Sequence, residues 1–191
     1  MRTIKFLTAI ALAALMAGCA PSLHPLYTDK DVVFDRSLVG VWVSDDGDGH
    51  KDTWTLTKSG GNGYSMVSAD DGEPARFEAT LLRLNGQLYM DILPAEAPVD
   101  NDLYRSVLIR AHTFAKISLE DDVLSMALMD PESLKRLTEG KSSILPQAKL
   151  EDGGVLITAS TKELQEFVSK HSDDGTLFGE MERFQRARAD Q

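Results

Sequence analysis

From Leu38 to Leu119 apolar and polar residues alternate in short runs, and turn residues interrupt them roughly every 8–12 positions. Successive side chains on a strand point to opposite faces, so a period of two sends one set inward and the other outward. Leu38 to Ser44 (LVGVWVS) is the first such run, rich in β-branched residues with Trp42 at its middle. Thr53 to Lys58 sets Trp54 and Leu56 on one face and threonines on the other. Tyr64, Met66 and Ser68 oppose Ser65, Val67 and Ala69; Phe77, Ala79 and Leu81 oppose Arg76, Glu78 and Thr80. Leu84-Asn85-Gly86-Gln87 joins two of these runs, with Leu88, Met90 and Ile92 continuing beyond it, and Asn-Gly fits a type I′ turn. Strands joined by such tight turns pair antiparallel.

The turn Asp45 to His50 carries carboxylates at alternate positions, as calcium loops do. A loop of that type starting at Asp46 needs Gly and Glu where Lys51 and Thr57 stand, so a solvated hairpin is the better reading. Ala95 to Asp102 reads as a loop, Tyr104 to Leu119 as a long strand, and Val123 to Met129 as its return. His112 falls mid-strand with no second ligand type two positions away, which favours a hydrogen-bonded wall residue over a metal or catalytic one.

Two short helices are expected in the second half. Asp130-Pro131-Glu132-Ser133 supplies a cap, a proline at the first helical position and an acid in the first turn, with Gly140 as the stop. Ser160-Thr161-Lys162-Glu163 reads as a capping box, followed by Leu164, Phe167, Val168 and His171 on one helical face until Gly175. Between them a hairpin is expected over Ala148–Leu150 and Val155–Ala159. In Leu177 to Arg188 the spacing of Phe178, Met181 and Phe184 suits a helix, but closing a sheet needs a strand here, and a strand is the reading favoured. The total is about eight to ten short strands. The expected fold is mainly β: an antiparallel up-and-down β-barrel with two short helices, a β-sandwich being the alternative.

The opening has a different character. Arg2 and Lys5 precede an uncharged, mostly apolar run from Phe6 to Ala17, which stops at Gly18-Cys19. Roughly 20 apolar residues are needed to cross a bilayer, and this shorter run suits a signal peptide. Leu15-Met16-Ala17-Gly18-Cys19 resembles the lipobox of bacterial lipoproteins, Met16 being its less usual member. That resemblance implies cleavage before Cys19 and acylation of Cys19, the only cysteine in the chain. Several acyl chains at about 0.8 kcal/mol per buried methylene make a stable anchor. Ala20 stands at the sorting position, where an Asp in the enterobacterial pattern means inner-membrane retention, so the outer membrane facing the periplasm is expected. The domain plan is therefore residues 1–18 as signal peptide, 19–31 as lipidated Cys and extended tether, and 32–191 as one barrel domain. Within that segment the free tether is expected to end near His24, with the apolar Leu26 and Tyr27 packing on the domain.

Cleavage removes two positive charges and no negative ones, taking the formal net charge from -10 to -12. Such a chain repels phosphate backbones, which excludes nucleic acid as a partner. It also lacks the basic patch that adhesion to anionic lipid needs. With Cys19 used for lipid, no intrachain disulfide can form.

Gly40-Val41-Trp42 on the first strand resembles the G-x-W signature of lipocalins and other calycins. The resemblance implies that Trp42 closes one end of a barrel and stacks under an arginine of the last strand, with Arg183, Arg186 and Arg188 as candidates. SLHPLYTDKDVVFD, LVGVW, HTFAKI and STKELQEFVSKH also resemble a group of bacterial lipoproteins without assigned activity. No catalytic motif stands beside these. There is no G-x-S-x-G elbow, H-E-x-x-H, C-x-x-C or Walker-type loop, so no catalytic residue, metal ligand or cofactor is assigned. A non-enzymatic envelope module is expected, binding a small apolar ligand in its barrel. The alternative is an assembly factor or inhibitor that engages an envelope protein through its acidic surface.

Overall fold

The computed structural model describes residues 19–45, 51–70, 73–95, 100–139, 145–151, 153–172 and 177–187. The expected signal peptide, the Asp46–His50 turn, the helix stops Gly140 and Gly175, and Arg188 lie outside these residues.

Among the described residues eight strands close into an antiparallel barrel. They are β1 (Gly40–Asp45), β2 (Lys51–Lys58), β3 (Gly63–Asp70), β4 (Glu73–Leu84), β5 (Gln87–Pro94), β6 (Thr113–Glu120), β7 (Val123–Leu128) and β10 (Glu182–Arg186). Each consecutive pair from β1 to β7 is a neighbour, and β10 fits between β7 and β1 to shut the ring. Its register is set by Glu182 opposite Met126 on one side and Arg186 opposite Trp42 on the other. Closure rules out the sandwich, and it removes both free sheet edges. Asn85 and Gly86 take φ values of 49° and 84°, the positive pair that a type I′ turn requires.

The period of two sorts the strand residues into two cores. The inward set includes Trp42, Leu56, Tyr64, Met66, Leu81, Met90, Ile117, Leu124, Met126 and Phe184, all buried together. These side chains form the barrel's interior cluster. The outward set on β4 to β7 includes Leu82, Tyr89, Phe114 and Ala127, which would face water on a bare barrel. A second layer covers them, built from α2 (Pro131–Thr138), α3 (Thr161–His171), β9 (Val155–Ile157) and the N-terminal segment. Leu134, Leu164, Phe167 and Val168 are the helical residues buried there. Asp130 caps α2 with its proline at the first turn, and Ser160 and Glu163 form the reciprocal capping box of α3. Lys116 on β6 donates to the Ser172 carbonyl at the far end of α3.

Three expectations change. The described residues hold three α-helices, because Asp102–Val107 forms α1 where a strand had been expected from Tyr104. The Asn101 carboxamide accepts the Tyr104 N–H at 2.8 Å, capping a turn of helix before the strand can begin at Thr113. The predicted late hairpin exists, as β8 (Gln147–Lys149) paired with β9, but these two strands form a separate sheet outside the barrel.

The third change concerns Ala20 to Asp31. Leu26 and Tyr27 pack on the domain as expected, but the residues before His24 are no free tether. Ala20, Ser22 and Leu26 are fully buried. Ser22 exchanges backbone hydrogen bonds with His112 at 2.9 and 2.8 Å, and the Leu23 N–H reaches the Ile157 carbonyl at 2.9 Å. Thr161 and Gln165 of α3 hold the Pro25 and Leu26 carbonyls. Pro21 to Leu23 runs between His112 and Ile157 and satisfies the backbone groups of both, after which the chain bends and turns toward β1.

Candidate functional site at the two ends of the barrel

Strand register divides the loops between two ends. One end carries the β2–β3, β4–β5 and β6–β7 turns and the start of β1. There Arg186 of β10 lies over the Trp42 ring, its guanidinium carbon 4.2 Å from the ring centroid. The guanidinium also donates to the Val39 carbonyl at 3.1 Å, to the Ser37 carbonyl and to Asp122 Oδ1 at 2.8 Å. Trp42 donates its indole N–H to the Leu38 carbonyl at 2.9 Å. A side chain at Gly40 would put its Cβ 2.5 Å from Arg186 Nη1, and Gly40 has φ +152°, where other residues are strained. Glycine, tryptophan and arginine are thus required by one another's positions. Of the candidate arginines, Arg183 points outward opposite Ser125 and is exposed, and Arg188 lies outside the described residues. Phe34 stacks on Tyr64 at 5.0 Å, and the Tyr64 hydroxyl bonds both backbone groups of Asp35. This end is shut.

The opposite end carries the chain between β5 and β6, the entry to β10 and the start of the described chain. A cavity of about 220 Å³ opens here, lined by Trp54, Met126, Leu128, Asp130 and Glu182, with the exposed Cys19 at its rim. Glu182 is exposed at the mouth, and partial burial against the cavity wall raises its carboxyl above the ordinary value; a hydrogen bond with Ser44 opposes this and the Asp52 charge reinforces it. Another cavity, of about 290 Å³, lies on the outer wall between Tyr27, Val32 and the β2–β3 turn. Typical sites for drug-sized ligands run from about 300 to 1,000 Å³, so both are small.

Two features of this end were missed in the sequence. Asp91 is only 2% exposed, yet it faces outward from β5. Its Oδ1 pairs with His112 Nδ1 at 2.6 Å and its Oδ2 accepts the Leu26 N–H at 2.8 Å. Its lone carboxylate inside the apolar run Leu88 to Ile92 was the available signal. His112 is the hydrogen-bonded wall residue expected. The second feature is Leu103 to Ile109, where Leu103, Tyr104, Val107, Leu108 and Ile109 are all exposed. Read as a strand, these residues would have had an inner face.

Among the described residues no three His, Cys, Asp or Glu side chains converge as metal ligands would, and no helix is long and apolar enough to cross a membrane. No protein-family model, curated protein or solved structure matches this chain.

Proposed function

We propose that the protein is a non-enzymatic envelope lipoprotein, anchored through acyl groups on Cys19 and presenting an acidic outer surface to an envelope protein. The observation that carries the choice of surface over interior is the barrel's inward side chains, which form one buried cluster and leave a small cavity at the mouth. The open-end cavity stops on Met126, a member of that cluster, and on Trp54, which packs against it. The formal net charge of -12 after cleavage favours a partner with a basic face, since opposite charge speeds encounter. The anchor is supported by the lipobox-like LMAGC and by the exposure of Cys19 at the rim of the domain. Ala20 in place of Asp supports the outer membrane. The Gly40–Trp42–Arg186 arrangement supports a likeness to calycins at the level of barrel construction.

The test has two arms. Membrane fractionation of wild type and Cys19→Ala should find the first in the membrane and the second released; a variant that stays membrane-bound removes the anchor. Native mass spectrometry of a Cys19→Ser chain purified without detergent should give the bare polypeptide mass. A co-purifying apolar molecule would restore the ligand-binding reading.

A further inference from the structure

Resting on the anchor reading, we infer that the open end of the barrel lies on the bilayer and that Leu103 to Ile109 enters its interfacial layer beside the acyl chains of Cys19.

The argument begins with the missing tether. Ala20, next to Cys19, is fully buried, and Ser22 is hydrogen-bonded to the barrel wall. An acylated Cys19 therefore has no free chain to carry the domain away from the lipid. Its side chain leaves from the rim shared with Leu128, Asp130 and Glu182, so that rim must meet the headgroups.

Register then places the exposed apolar segment on the same end. Pro94 of β5 pairs with Phe77, and Leu128 of β7 pairs with Ala115 near the start of β6. The connection from β5 to β6, which carries α1, therefore leaves the barrel on the side where β7 stops and Cys19 sits. Leu103 is 75% exposed, Val107 68% and Ile109 72%, and none of the residues of α1 is buried. Leu128 and Met181, also exposed, lie at this end too. Five exposed apolar side chains within the seven residues Leu103 to Ile109 are the kind of surface that marks an interaction site. The bilayer that holds the anchor is already there, and a tyrosine in the group suits the headgroup level.

Charge decides the mode of contact. Arg105 is paired with Asp102 at 2.6 Å and Arg110 with Glu78 at 2.8 Å, so the segment offers apolar area with its cations already matched. Insertion should then depend little on anionic lipid or salt, unlike polybasic attachment.

The test uses the cysteine count. Once Cys19 is acylated, Ile109→Cys or Asn62→Cys carries the only free thiol. Each variant, lipidated and reconstituted in phosphatidylcholine–phosphatidylethanolamine vesicles, is labelled with an environment-sensitive fluorophore. Acrylamide serves as the aqueous quencher because it is neutral and the chain is acidic. The label at 109 should be about fivefold less accessible to acrylamide than the label at 62, and spin-labelled lipid should quench it. Equal accessibility at both positions, on vesicle-bound protein, overturns the inference and leaves the anchor standing. A label at 109 hidden from acrylamide and lipid quencher alike assigns the segment to a protein and also overturns it. Unmodified Cys19 by mass, with protein free of the vesicles, overturns the anchor and this inference together.

Discussion

Arg186 shows how much one side chain can hold. Its planar fork reaches two carbonyls and one carboxylate while its flat face covers Trp42, and the ammonium of lysine can reproduce neither the fork nor the stacking. Arg186→Lys should therefore lower stability by about 1–2 kcal/mol in urea denaturation. Gly40→Ala should cost roughly 2 kcal/mol or more, since it joins an unfavourable φ to a clash with Nη1. Placing Gly40→Ala on an Arg186→Ala background separates the two causes: the clash disappears and the φ strain stays, so the costs should fall short of additive. Glu182 at the mouth gives a test of sign. Its folded pKa lies above its unfolded one, so its contribution is fully favourable in acid and is lost as pH rises through the folded value. Glu182→Gln should be more stable than wild type at neutral pH, and the two should converge below the ordinary carboxylate range. A variant without advantage at neutral pH would show that water at the mouth solvates the carboxylate fully.

The elements differ in how openly they stand in the sequence, and the difference follows from the reach of the interactions that decide them. The Asn85-Gly86 turn, the proline start of α2 and the capping box of α3 are decided within about four residues, and all three were legible. The α3 box has a measurable consequence. Ser160→Ala removes the hydroxyl that bonds the Glu163 N–H and carboxylate, and should cost about 1 kcal/mol with an unchanged denaturant slope. A drop beyond about 2 kcal/mol would mean that the cap also positions the packed stripe of Leu164, Phe167 and Val168. Asp130 at the head of α2 adds a pH dependence. Burial pushes its carboxyl up, but hydrogen bonds from the Ser133 hydroxyl and amide outweigh this and hold it below its ordinary value. Its stabilisation is present above the unfolded pKa and fades as pH falls through the folded one. The cap that Asn101 gives α1 is as local as these and was overlooked beside the alternation from Val107 to Ile117. Elements decided at long range were not legible. The seating of Ser22 against His112 joins segments far apart in the chain. Trp42 and Arg186 lie far apart in the chain, so the resemblance offered three arginines and only the register of β10 against β1 selects one.

At the scale of the molecule the barrel is an inner layer whose outer wall is itself a core surface, and this makes the chain before β1 part of the fold. Had Ala20 to Asp31 been a tether, starting the chain after it would leave stability unchanged. The observed packing predicts otherwise. Such a truncation removes the buried Ala20 and Leu26 from the outer core, and the backbone partners of His112 and Ile157. It also takes the Leu26 N–H from Asp91, leaving a buried carboxylate with His112 as its remaining partner there. Burying one leucine contributes about 2 kcal/mol, and each buried polar group left unpaired costs about 1–3 kcal/mol. A loss on the order of 5 kcal/mol is expected, comparable with the whole stability of a modest domain. The truncated chain should therefore melt without a cooperative transition, or many degrees below the full one. Asp91→Ala isolates one part of this effect. It should cost about 3 kcal/mol while the N-terminal segment remains, and it should add little once the segment is gone. Limited proteolysis gives a second readout, because α2, α3 and the β8–β9 hairpin pack with that segment and should become cleavable before the barrel strands. A truncated chain that melts within a few degrees of the full one, with its helices still protected, would restore the tether, and with it the freedom of the domain to stand away from the bilayer.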